Sequence, residues 1–276
     1  FLILIFLLNL IYKFETFNIY LFLFIGSTFL SLIYSLYKTK NIISWSKIKI
    51  YNLKNQIYNE IKESSIFILI QIFVLANNLL PIIILGFFQE PQIVGNYKLA
   101  IQLASISGLC LHAINKIVQP RFAKSYSLSD YNQIQKIALS SNLFVSICSF
   151  AVSIFVFLFY KEFIILFFGF DFFIPRLTFL IILISPLINS IFGSAAEILI
   201  MCGNEKVTLL WASICLFIGI ILNFILAPFW GINGVAISIL ITTSIRGFIL
   251  WKKSFLLLNI NSSFILDKIF KLKKSH

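Results

Sequence analysis

Apolar runs long enough to cross a bilayer alternate along this chain with short polar links, and the pattern predicts eight membrane-spanning segments. A hydrocarbon core of roughly 30 Å needs about 20 apolar residues in helical form. The predicted spans are 1–12 (the end of one), 17–37, 65–88, 93–118, 137–160, 174–201, 207–229 and 231–250. Several links are tight: 13–16, a turn at 89–92 marked by Pro91, and a final hairpin through Pro228 and Gly231. In lipid, a spanning segment must satisfy its own backbone as a helix or join a closed barrel. The apolar/polar alternation of a membrane barrel strand is absent here. The spans are therefore predicted as helices, and the fold class as an all-α polytopic membrane bundle.

Charge placement sets the orientation. The links 38–62, 116–136 and 203–206 and the tail from 252 hold 17 of the 22 Lys and Arg residues. The opposite links hold only Lys13, Lys161 and Arg176, while Lys98 and Arg246 fall inside apolar runs. Such an imbalance across short loops is the positive-inside signal, and it places the C-terminus in the cytoplasm. The net charge of +12 is then a matter of topology. A nucleic-acid binder would gather its basic residues on one soluble surface, and the spans leave no soluble domain to carry one. Composition agrees: 60% of residues are hydrophobic, 12% are charged and the mean hydropathy is +0.99. Soluble domains carry roughly 25% charged residues. The chain opens on Phe1 inside an apolar run with no basic segment before it, which reads as a span already under way rather than a signal peptide.

The four cysteines, Cys110, Cys148, Cys202 and Cys215, lie within or at the ends of apolar runs without a CxxC pair. They read as small packing residues rather than a metal site or disulfide framework. No Gly-rich phosphate loop, GxSxG or paired carboxylates on a common surface occur, and the outer links are short. The chain therefore reads as no enzyme and as needing no cofactor. The long link 38–64 separates residues 1–37, the last helices of one bundle, from a six-helix bundle over 65–252, and residues 253–276 form a basic tail. Within that link Ile50, Leu53, Ile57, Tyr58 and Ile61 recur at helical spacing among lysines, which suits a helix lying in the membrane interface near anionic headgroups.

Polar residues at membrane depth carry the functional hypotheses. Asn77 and Asn78 precede Pro81, where a helix loses a backbone donor and bends. They either glue helix to helix or line a cavity. Lys98 either reaches the interface or faces an anionic headgroup. Glu197 and Arg246 form an ion pair or take part in ion or substrate coupling. His112 is a packing residue or a proton relay.

Four stretches resemble segments of the polysaccharide flippases of the multidrug/oligosaccharidyl-lipid/polysaccharide exporter superfamily. Asn78, Pro81 and Gly86 followed by Val94, Gly95, Tyr97 and Ala100 resemble a "P…LG…VGxYxxA" hairpin. Gln119, Pro120, Arg121 and Phe122 look like the end of the next helix. Phe167 to Phe172 resembles an "FGxxF" outer loop. Leu222, Asn223 and Pro228 followed by Gly231, Gly234 and Ala236 are similar to the "LN…P.fGi.GaA" hairpin before the last helices. The resemblance covers about 65–250 and implies a twelve-to-fourteen-helix transporter in two bundles, with the missing N-terminal bundle as an intramolecular partner. It implies a bacterial cytoplasmic membrane and a substrate that is an undecaprenyl-diphosphate-linked oligosaccharide, moved by alternating access. A polysaccharide polymerase or chain-length regulator is an implied partner, alongside membrane lipids and with no nucleic acid. Substrate contacts are then expected at Lys98 and Arg246 for the diphosphate and at Asn77 and Asn78 for sugar. Pro81 and Ile82 stand where many relatives carry an acidic residue, which counts against cation coupling in that helix. A drug or cation exporter of the same superfamily is the nearest alternative, and a membrane-embedded polymerase or transferase a more distant one.

Overall fold

The structure, a computed structural model, describes residues 17–40, 53–169 and 172–264. The expected first span at 1–12, residues 41–52 of the link and residues 265–276 of the tail lie outside the described residues. Helix is the one regular element, and no strand occurs among the described residues. The helices are α1 (Phe17–Lys40), α2 (Leu53–Phe88), α3 (Pro91–Ser105), α4 (Leu109–Ser127), α5 (Tyr131–Phe168), α6 (Arg176–Phe192), α7 (Ala195–Met201) and α8 (Glu205–Leu258). The chain divides into two compact units, Phe1–Asn59 and Glu60–His276. In the first, α1 carries Phe29, Leu30, Tyr34 and Tyr37 on its exposed surface. The clusters, breaks and cavity described below all lie in the second.

Among the described residues, four helical stretches are long and apolar enough to cross a membrane: Ser64–Phe88, Pro91–Ser127, Tyr131–Leu166 and Glu205–Leu258. Helices α6 and α7, bent by 46° at a short break, make a fifth if counted as one span. Eight spans were expected, and four to five are found. Part of the difference lies in α8, where the expected final hairpin is a single 54-residue element interrupted at Gly231 (φ 53°, ψ −129°). That element doubles back. The Ser238 hydroxyl donates to the Gly219 carbonyl at 3.4 Å, although the two are 19 residues apart. Along a straight helix they would be separated by about 28 Å. Each long stretch buries only 22–28% of its most apolar window inside the protein. Phe87, Phe144, Ile147, Phe150, Leu158 and Phe217 are among the side chains left outside. An apolar exterior of this extent matches lipid rather than water, so the protein is read as a helical, membrane-embedded bundle.

The linking segments are more helical than the polar pattern implied. Helix α2 runs unbroken from Leu53 through Pro81, merging the linker helix with the span expected at 65–88. The link 116–136 contracts to a turn at 128–130, closed by the Asp130 carboxylate accepting from the Gln133 backbone N–H at 2.9 Å. That is an ordinary N-cap satisfying a donor the first helical turn leaves orphaned. Helix α8 continues past Lys252 and Lys253 to Leu258, so the first residues of the basic tail are helical.

Two buried clusters hold the bundle. One gathers Leu85, Tyr97, Tyr160, Phe179 and Val235, with Tyr160 and Phe179 stacked at 4.5 Å between centroids. The other gathers Phe122, Ile134, Ile198, Trp251 and Ile260. In lipid, apolar side chains gain little by leaving the surrounding tails, so close packing and buried hydrogen bonds carry helix association. The arms of α8 meet through small residues accordingly. A Cβ at Gly234 would lie 2.2 Å from the Leu226 carbonyl oxygen, and one at Gly219 would lie 3.4 Å from Thr242.

Candidate functional site

A cavity of about 350 Å³ opens inside the bundle, walled by α2, α4, the α6–α7 break and both arms of α8. Gln71 comes from α2, and His112, Asn115 and Lys116 come from α4. Asn189, Phe192, Gly193 and Glu197 flank the break, and α8 supplies Thr208 from its outgoing arm and Arg246 from its returning one. This concentration of polar groups within apolar helices is what a substrate or ion pathway needs, because such groups are costly at membrane depth unless they serve one another or a ligand.

On α4 the polar residues His112, Asn115, Lys116 and Gln119 recur at the spacing that puts side chains on one helical face. The first three line the cavity, and Gln119 donates its amide N–H to the Glu197 carboxylate. One turn away, the Ser194 hydroxyl donates to Asn115 Oδ1 at 2.6 Å, tying α4 to the break between α6 and α7. The break itself is a glycine feature: Gly193 adopts φ 66°, a region that side-chain-bearing residues rarely enter. Above it, Gly247 sits beneath the Phe192 ring, whose Cδ2 would lie 2.3 Å from an added Cβ. The residue next to Arg246 therefore lets an aromatic wall of the cavity lie flat against α8.

Arg246 is half-buried and makes no hydrogen bond or ion pair with any described residue. Thr208 Oγ1 is buried without a partner among the described residues. Glu197 and Arg246 share the cavity, yet they are not ion-paired: the carboxylate is engaged by Gln119 instead. The half-buried Arg246 and the exposed Lys116 thus line one space with one carboxylate, which is already hydrogen-bonded. Anion binding is the chemistry this arrangement favours.

The other expected site residues are elsewhere. Lys98 is exposed on α3, outside the cavity. Asn78 is exposed, and Asn77 faces a separate pocket of about 10 Å³ beside Pro81, Gly219, Asn223 and Thr242. A space of that size admits one water molecule and no sugar. Only Arg246 and Glu197 of the expected set are brought together. Thr208, Asn115, Lys116 and Gln119 were missed. Lys116 had been assigned to a link, and the polar stripe on α4 was the signal that could have found it. The cysteines are free, and no group of three or more metal-ligating side chains occurs among the described residues. No family model, curated protein or solved structure matches the chain.

Proposed function

We propose that this chain is part of a bacterial cytoplasmic-membrane transporter that moves an undecaprenyl-diphosphate-linked oligosaccharide by alternating access, for polysaccharide export. The observation that carries the reading is the cationic cavity, with Arg246 unpaired inside an apolar bundle and Lys116 beside it. A diphosphate entering from the cytoplasm would meet a guanidinium whose bidentate geometry suits phosphate oxygens. The lipid tail would stay outside, against the exposed apolar faces. Sugar hydroxyls would find hydrogen-bonding groups at Asn115, Asn189, Gln71 and Thr208, in place of the asparagines on α2. The four motif-like stretches from 78 to 236 support the same assignment. The cytoplasmic placement of the C-terminus follows from the charge imbalance.

The test is depletion of the whole protein in its host cell, with lipid-linked oligosaccharide measured on each membrane leaflet. Accumulation on the cytoplasmic leaflet is the expected result. A normal leaflet distribution with lost surface polymer would instead identify a polymerase or transferase. A second reading, a drug or cation exporter, is favoured by Glu197, a carboxylate in the same cavity. Under that reading depletion leaves the lipid-linked sugar untouched and raises sensitivity to cationic compounds.

A further inference from the structure

The six residues after α8 form the most heavily hydrogen-bonded non-helical segment described in this bundle. Asn259 ends the helix in the left-handed region at φ 55°, which asparagine tolerates better than most side chains. The chain then turns inward. Ile260, Asn261, Ser262 and Ser263 are all buried. Asn261 is held three ways: its N–H donates to Gln135 Oε1 at 2.6 Å, its carbonyl accepts from Gln135 Nε2 at 2.9 Å, and its Oδ1 accepts from Trp251 Nε1 at 2.7 Å. The Phe264 N–H donates to Asn142 Oδ1 at 2.8 Å. Gln135 and Asn142 lie two turns apart on one face of α5, so that face carries the segment on a polar track.

The same segment reaches the break beside the cavity. Ending α6 at Gly193 frees the carbonyls of Ser190, Ile191 and Phe192 from their helical donors. Each finds a replacement: Asn142 Nδ2 donates to Ser190 at 2.6 Å and to Ile191 at 3.4 Å, and the Ser262 hydroxyl donates to Phe192 at 2.7 Å. A Cβ at Gly193 would lie 2.6 Å from the Ser262 carbonyl oxygen and 2.5 Å from Asn142 Nδ2. The bent form of α6–α7 and the inserted segment therefore require each other. Without the segment, the Phe192 carbonyl loses the Ser262 hydroxyl as its donor, and a continuous helix becomes the alternative way to satisfy it.

We propose that residues 259–264 are a latch that holds the α6–α7 break bent and so sets the cavity wall at Phe192 and Gly193. With the latch seated, the wall stands as described; with it withdrawn, α6 and α7 straighten and the wall moves. This is a two-state element at the transport site, and its role in gating rests on the cavity reading above, whereas its seating does not.

Cys202 reports on the latch because it is buried in the cluster that contains Ile260. The experiment uses the full chain in lipid nanodiscs with Cys110, Cys148 and Cys215 replaced by serine or alanine. Maleimide labelling of Cys202 is timed with no precursor present. Gln135→Ala and Ser262→Ala each remove latch bonds, and labelling should accelerate about tenfold for Gln135→Ala and several-fold for Ser262→Ala. Unchanged labelling in both overturns the proposal while leaving the transport reading untouched. Should a variant fail to fold, hydrogen exchange on the unmutated chain decides. The amides of 261–264 and 191–194 should open as one unit at one rate, and independent rates refute the latch. Loss of transport reading by the leaflet assay would alter neither measurement.

Discussion

Two of the glycines at which the described helices break, Gly193 and Gly231, have nearly the same φ and serve different ends. Gly231, at φ 53°, turns α8 back at an exposed end where Phe229 and Trp230 face outward. An added Cβ there would meet nothing nearer than the flexible Gln89 side chain at 3.5 Å. Gly193, at φ 66°, breaks a span inside the protein, and an added Cβ would collide with both Asn142 and Ser262. The first break needs conformational permission alone. The second also takes donors from α5 and from the segment after α8, which satisfy the carbonyls that the break frees. A turn at the edge of a membrane bundle costs little beyond its glycine. A bend within one has to be built by its neighbours, and the neighbours here build the cavity wall.

Substitutions should separate the two breaks, and unfolding in detergent is the measurement for each. Gly193→Ala should have the largest effect, about 3 kcal/mol or more, because left-handed strain adds to overlap with backbone and side chain. Next comes Asn142→Ala, which strips a donor from the Ser190 and Ile191 carbonyls and an acceptor from Phe264, at about 2–3 kcal/mol. Gly231→Ala should lose about 1–2 kcal/mol, the conformational term by itself. If Gly231→Ala proves as damaging as Gly193→Ala, the distinction between edge and interior fails. The smallest stability effect should come from Gly247→Ala: the Phe192 ring must swing away from α8 toward the cavity, and transport should fall more than stability does.

The difference between the breaks also marks what the sequence made legible. Pro228 and Gly231 announced the final hairpin, since two breakers within four residues interrupt an otherwise uniform apolar run. The helical class followed from run length and the missing two-residue alternation. Gly193 lies inside one predicted span, 174–201, and a lone glycine there, even beside Ser190 and Ser194, gives no reason to place a bend. Residues 259–264 read as part of the basic tail over 253–276, because the pattern shows composition and not which helix face receives it. Arg246 and Glu197 stood out as charges at depth, but their relation did not: Gln119, 78 residues from Glu197, takes the carboxylate that Arg246 was expected to pair with. Lys98 stood out for the same reason and lies outside the cavity, since depth along a helix says nothing about which side of it faces inward. The cavity draws on five stretches of the chain, and only the α4 stripe shows its share locally.

The proposed contact between the unpaired Arg246 and an anionic headgroup is checked by replacing Arg246 with glutamine in the whole protein, with Lys98→Gln as the control, and measuring lipid-linked oligosaccharide on each leaflet of cells with matched protein levels. Arg246→Gln should trap the precursor on the cytoplasmic leaflet while Lys98→Gln exports it at close to the normal rate. Normal export by Arg246→Gln would rule out that contact.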